Sequence, residues 1–162
     1  MAPDGLTICS SIYGPDETLR RLEAAITNRG MTIFAQIDHA AAAAAVGLEL
    51  RPTVVLNFGS ARAGTPLMQA KQTLAIDLPL KMLTWQDAEG KTWLAYNEPA
   101  WIAKRHGIEH GAGVEAMSRG LAAIAKEATA AAFGRAWAGI GGHHLIRRRA
   151  GRALDRGLPP SR

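Results

Sequence analysis

Residues 53–85 read TVVLNFGSARAGTPLMQAKQTLAIDLPLKMLTW, and their succession of strand, glycine-bounded loop, short helix and strand decides the fold. Thr53 to Phe58 is rich in β-branched and large apolar side chains, which favours a buried strand, and Pro52 stands at its start, where proline is tolerated. Asn57 is the one polar side chain late in that run. Gly59 to Gly64 has the composition of a loop, and Thr65-Pro66 reads as a helix start, a capping hydroxyl followed by proline at the first helical position. The helix is expected over Met68 to Ala75, ended by Asp77 and Pro79, before a second strand from Leu80 to Trp85. There Leu80, Met82 and Thr84 share one face, and Lys81, Leu83 and Trp85 the other.

Gly59 and Gly64 bracket four residues between a strand and a helix, the outline of a phosphate loop. Such a loop needs Lys and then Ser or Thr after its second glycine, and Thr65-Pro66 supplies neither pattern and loses an amide donor. Nucleotide hydrolysis is therefore excluded. A weaker expectation survives, in which the loop amides, the helix start and Arg62 hold a small anion or a carboxylate. The plainer reading is a tight connection with a solvated arginine.

Upstream, Leu6 to Tyr13 reads as a strand and Gly14-Pro15-Asp16-Glu17 as a helix entry, with Leu19, Leu22 and Ile26 as its core stripe and Gly30 as its left-handed cap. Met31, Ile33, Ala35 and Ile37 alternate with Thr32, Phe34 and Gln36 as a second strand. Asp38 is placed to cap a short alanine-rich helix that Gly47 ends. His39, at its start, has the chemistry of a base, a metal ligand or a donor, against the plainer reading of a histidine bonded to backbone.

Downstream, Asp87 to Gly90 forms a hairpin turn and Lys91 to Tyr96 returns as a strand, bringing Trp93 near Trp85 as packing. No basic residues interleave with these rings as a base-stacking surface requires. Asn97-Glu98-Pro99 opens a helix that His106-Gly107 closes. His106 and His110 are four apart, but Gly107 and Gly111 break the helical spacing that would align them on zinc. A final helix from about Val114 to Ala132 carries the stripe Val114, Met117, Leu121, Ile124 and Ala128.

The chain has 162 residues, 48% of them apolar, enough for one domain with a real core. Cys9 is the sole cysteine, so no internal disulfide forms, and it reads as a packed strand residue rather than a nucleophile. No signal-peptide pattern opens the chain and no charge-free apolar run of about 18 residues spans a membrane, so a cytoplasmic location is expected. The charge of +5 is uneven: residues 1–130 hold 12 basic and 13 acidic side chains, while residues 131–162 hold seven arginines against Asp155. The body is thus nearly neutral, which argues against specific nucleic-acid binding, and the basic tail is a solvated end able to touch acidic surfaces. Domain boundaries follow: residues 1–132 as a globular α/β domain, 133–162 as a basic extension, partly helical around Leu145 to Leu154 or disordered.

The stretch IDHAAAAAAVGLELRPTVVLNFGSARAGTPLMQAKQTLAIDLPLKMLTWQDAEGKTWLAYNEPAWIAKRHGI resembles domain-of-unknown-function family number 302, a bacterial-type family. DHA, LRPT, AGTPLMQ, AIDLPLK and the Tyr96-Asn97 pair carry the likeness, which covers residues 5 to 130. Ser60-Ala61 stands where the family pattern has Asn-Pro. The resemblance implies a small α/β (α+β) domain, one mostly antiparallel or mixed sheet of about five strands covered by helices, associating as a homodimer. It implies no activity and no catalytic residue.

Three functions compete. The first is a small-molecule or anion binding domain acting as a homodimer, its site at the end of strand 53–58, lined by His39, Asn57, Gly59, Arg62, Gly64, Thr65, Met68, Asp77, Lys81, Tyr96 and Asn97. The second is a structural or protein-interaction dimer in which those polar groups satisfy turns. The third, less favoured, is an enzyme using Asp77 with Lys81 or His39, or a soft copper site of Met68 with His39. No catalytic residue, metal set or cofactor is assigned.

Overall fold

The computed structural model describes residues 3–108 and 111–130. Strand β1 (Leu6–Ser10) leads into helix α1 (Pro15–Thr27), whose entry is as expected: Gly14 caps it, Pro15 takes the first turn, and Asp16 and Glu17 sit at its positive end. Gly30, at φ +69°, turns the chain into β2 (Thr32–Asp38). Asp38 then caps α2 (His39–Ala44), its Oδ1 accepting from the Ala41 amide at 2.9 Å. β3 (Thr53–Gly59), α3 (Ala61–Ala70), a 3-10 helix (Gln72–Ile76), the hairpin β4 (Leu80–Gln86) and β5 (Thr92–Asn97), α4 (Pro99–Arg105) and α5 (Ala112–Thr129) follow. The sheet is antiparallel throughout, in the order β1-β5-β4-β3-β2.

Three local expectations are corrected. Helix α3 begins at Ala61, four residues before Thr65, with Ser60 at its cap and Pro66 inside it. Ala61, Arg62 and Ala63 are good helix formers, and a proline this near the start forfeits one backbone hydrogen bond without preventing the turn. The stretch to Ala75 is accordingly divided, the 3-10 helix taking over after Lys71. Strand β1 ends at Ser10, because the Ser11 hydroxyl bonds Thr18 Oγ1 at 2.8 Å and turns the chain toward α1. In β2 the register shifts between Ile33 and Ala35, so Ile33 pairs with Phe58 and Ala35 with Asn57, on opposite faces. A bulge at Phe34 undoes the simple alternation there.

One face of the sheet carries the core. Leu22 and Ile26 of α1 and Leu121 and Ile124 of α5 close over Leu56, Phe58, Met82 and Leu94, all of them buried. The predicted face Leu80, Met82 and Thr84 is the buried one.

The other face is bare. Across it the register aligns Ile8, Ala95, Leu83, Val55 and Ile37 in one row, one residue from every strand. Beside that row run Ser10, Trp93, Trp85 and Thr53 on one side, and Lys81, Asn57 and Ala35 on the other. Trp85 and Trp93 stack as cross-strand neighbours, ring centroids 6.3 Å apart. The basic extension from residue 133, with His143 and His144, lies outside the described residues, as does His110.

Candidate functional site

A groove of about 720 Å3 opens on the helix-covered side of the molecule, between α3 and α5. Helix α5 leaves room for it. Gly113, Ala116 and Gly120 recur at helical spacing beside the buried stripe, and a Cβ added at Gly113 or Gly120 would meet nothing within 4 Å. Opposite stand Gly64, Leu67 and Met68 of α3, with Leu78 and Pro79 at the floor and Met31 and Phe34 at the β2 end. The lining is almost wholly apolar. Three thioethers, of Met31, Met68 and Met117, give it a soft wall that re-packs readily around different shapes. Its polar edge is the α3 N-terminus, where Gly59, Ser60 and Ala61 line the groove and the first helical amides lack an intrahelical acceptor.

The structure divides the residues singled out from sequence. Gly59, Gly64, Thr65 and Met68 line the groove. Asn57 and Lys81 are cross-strand partners on the bare face, and Asn97 ends β5 on that same face. Arg62 is exposed on α3 outside the groove lining, and His39 is exposed at the first position of α2. Tyr96 is buried in the core, where burial first, and the Glu98 carboxylate second, push its phenol pKa up. The proposed copper pair is thus split, Met68 in the groove and His39 on another element.

Asp77 belongs to a cluster of its own. Its Oδ2 lies 2.6 Å from His106 Nε2 and its Oδ1 accepts from Arg105 Nη1 at 3.0 Å, while His106 Nδ1 lies 3.2 Å from Thr73 Oγ1. The order hydroxyl, imidazole, carboxylate is that of a hydrolase triad. Yet neither Thr73 nor His106 lines the groove, and Arg105 holds the second carboxylate oxygen. The cluster ties the 3-10 helix to the end of α4, beside the Leu78–Pro79 floor, and is read as a latch. The expected partners of Asp77, Lys81 and His39, are not in it.

Sequence reasoning missed the α5 side of the groove. Its signal was available in Gly113 and Gly120, two glycines inside a helical pattern, each costing about 1 kcal/mol against alanine and so calling for a packing or functional reason. Met31 and Met117 were read only as core. Among the described residues no cluster of three or more His, Cys, Asp or Glu side chains is placed to hold a metal ion.

With this geometry in view, the chain belongs to the family "Domain of unknown function DUF302", whose model matches residues 7–128. The fold is that of a crystal structure of an uncharacterized conserved DUF302 protein from Bacillus stearothermophilus, with a TM-score of 0.69 and 19% identity over 78% of this chain and 99% of that one. Two curated relatives are each 40% identical over 126 residues: fluoride-specific ion channel FluC 1 of Brucella suis biovar 1 (strain 1330) and FluC 1 of Brucella abortus biovar 1 (strain 9-941). The matched segment is 76% of this chain and 50% and 47% of those proteins, so the chain spans about half the length of the relatives it matches. Among the described residues no helix is long and apolar enough to cross a membrane.

Proposed function

We propose that this chain is a binding domain for a small, mainly apolar molecule, acting as a homodimer in the cytoplasm. The observation that carries the reading is the groove itself. Its volume of about 720 Å3 lies within the roughly 300–1,000 Å3 usual for ligand sites. It is kept open by glycines that a helix would otherwise replace with alanine. The apolar lining favours a hydrocarbon-rich ligand over a free anion, and the α3 amides would receive at most one small polar end.

The test is a substitution that fills the groove without touching the core. Gly120→Trp places an indole in open space on α5. Wild type is expected to bind anilinonaphthalenesulfonate and to release it to decanol, seen by fluorescence, and Gly120→Trp to lose that binding while unfolding at an undiminished temperature. Equal dye binding by both proteins would end the reading. Asn57→Ala, on the far face, is expected to change nothing in this assay.

The match to half of proteins named fluoride channels favours one further possibility for the same domain, an accessory role in which ligand occupancy is reported to a covalently attached segment. The name describes proteins about twice the matched length, and no fluoride chemistry is assigned to this chain on that ground. Titration of the isolated chain with fluoride, followed by fluorine NMR, is expected to show free fluoride alone. A saturable bound signal would replace the apolar-ligand reading with an anion-binding one.

A further inference from the structure

The bare face of the sheet has a composition that water does not explain. Its central row, Ile8, Ala95, Leu83, Val55 and Ile37, is aliphatic across all five strands. Ile8 is 37% exposed and Ile37 41%. In an antiparallel sheet with one solvated face, alternation normally puts polar residues there. Here the only charged side chain among the three rows is Lys81. With strands about 4.8 Å apart and same-face residues about 7 Å apart, the patch measures roughly 24 by 20 Å. That is the scale at which an apolar patch marks an interaction surface.

Two polar groups on this face are unmet. Asn57 Oδ1 is buried with no hydrogen-bond partner, a cost of about 1–3 kcal/mol if nothing answers it. The Trp85 indole N–H has no partner among the described residues, whereas Trp93 Nε1 donates to Asp87 Oδ2 at 2.6 Å. The unmet donor lies in the tryptophan row and the unmet acceptor in the Lys81 row, on opposite sides of the aliphatic row.

That placement is self-complementary. When two such faces pack about a two-fold axis running along the aliphatic row, each aliphatic row meets its copy, and each tryptophan row crosses the partner's Lys81 row. A half-turn of the Asn57 amide then lets its oxygen accept from the partner's Trp85, and Lys81 comes over the partner's tryptophan rings, the geometry of a cation–π contact. A two-fold interface needs one surface that satisfies itself, and this surface does. We propose that the bare face, centred on Leu83 and Val55, is the surface through which two copies of this chain associate, sheet against sheet. The inference rests on the homodimer reading above and adds where the contact lies.

The test uses the full chain and measures mass in solution by light scattering and sedimentation. Wild type is expected to be a dimer at micromolar concentration. Leu83→Lys, whose side chain points away from the core, is expected to keep its circular dichroism and weaken association at least about a hundredfold, since a lysine in an apolar contact is left unpaired. Val55→Lys should do the same. Trp85→Phe, which removes the donor but keeps the ring, should weaken association by about tenfold. Phe34→Lys on the edge strand β2 should leave the dimer intact. A monomeric wild type overturns the homodimer reading and this surface with it. A wild-type dimer that survives both lysine substitutions, or is split by Phe34→Lys instead, overturns this surface and leaves the homodimer standing. Neither result bears on the groove, which lies on the other side of the sheet.

Discussion

The two faces of the sheet are built from alternate residues of the same strands, and they have opposite fates. Leu56, Phe58, Met82 and Leu94 are wholly buried under α1 and α5. Val55, Leu83, Trp85 and Trp93, their immediate neighbours, are only partly covered. Apolar character is similar on both sides, so hydrophobicity alone does not say which face becomes the core. What differs is the supply of covering helices. α1 and α5 follow strands in the chain and pack on one side, and no element of comparable length remains for the other. The lesson is that an apolar strand residue may be an internal packing residue or an external contact, and only the helices decide.

The largest expected effect sharpens that contrast. Phe58→Ala should cost about 3–5 kcal/mol in urea unfolding, because its side chain is fully enclosed. Val55→Ala, one residue away on the bare face, should cost less than about 1 kcal/mol in the monomer. Equal losses would mean that the two faces are not distinct. Next in size is the latch. Asp77→Ala removes the acceptor shared by His106 and Arg105 and should cost about 1–3 kcal/mol, detectable as an earlier unfolding midpoint. An unchanged midpoint would show that the 3-10 helix needs no tie to α4.

Smaller, and opposite in sign, is Gly120→Ala. Because its Cβ meets open space, the exchange should raise stability by about 0.5–1 kcal/mol in the same unfolding assay. A loss would show that the groove wall is already filled. The smallest effect is the tie between α1 and the end of α5, where Arg29 grips Glu127 at 2.6 and 2.8 Å. The guanidinium hydrogen bond holds the Glu127 carboxyl below its ordinary value. Its folded pKa is depressed, so its contribution is present above the unfolded carboxylate value and fades as pH falls through the folded one. Both side chains are largely solvated, and Glu127→Gln should remove only this minor acid-side slope from the stability profile. A steeper loss in the variant than in wild type would contradict the assignment.

Much of the fold was legible before any coordinates. Periodicity placed four of the five strands nearly to their ends, and the glycines at 30, 47, 90 and 107 take the positive φ that ended elements there. Asp38 caps α2, and Pro15 and Pro99 open their helices, because capping and proline geometry are local. The family membership rested on residues whose pattern is equally local. The start of α3 was misplaced because Thr65-Pro66 is a strong local signal, overridden by the helix formers before it. The bulge at Phe34 was not legible either, since a one-residue shift leaves no mark on composition.

The site divides along the same line. The glycine-bounded bend after β3 does border a hollow, and Gly59, Gly64, Thr65 and Met68 were found from it. Asn57 and Lys81 were gathered to it by nearness in sequence, but in a strand neighbouring residues point to opposite sides. Asn57 therefore left the groove that Gly59 entered. The sequence by itself determined the elements, their caps and turns, and the residues that alternate along each strand, since these follow from backbone preferences over a few positions. The tertiary structure alone decided which face the helices cover, that α5 brings Gly113 and Gly120 opposite α3, and that Asp77 meets His106. Those contacts join residues tens of positions apart, and nothing short of the packed chain fixes the distance between them.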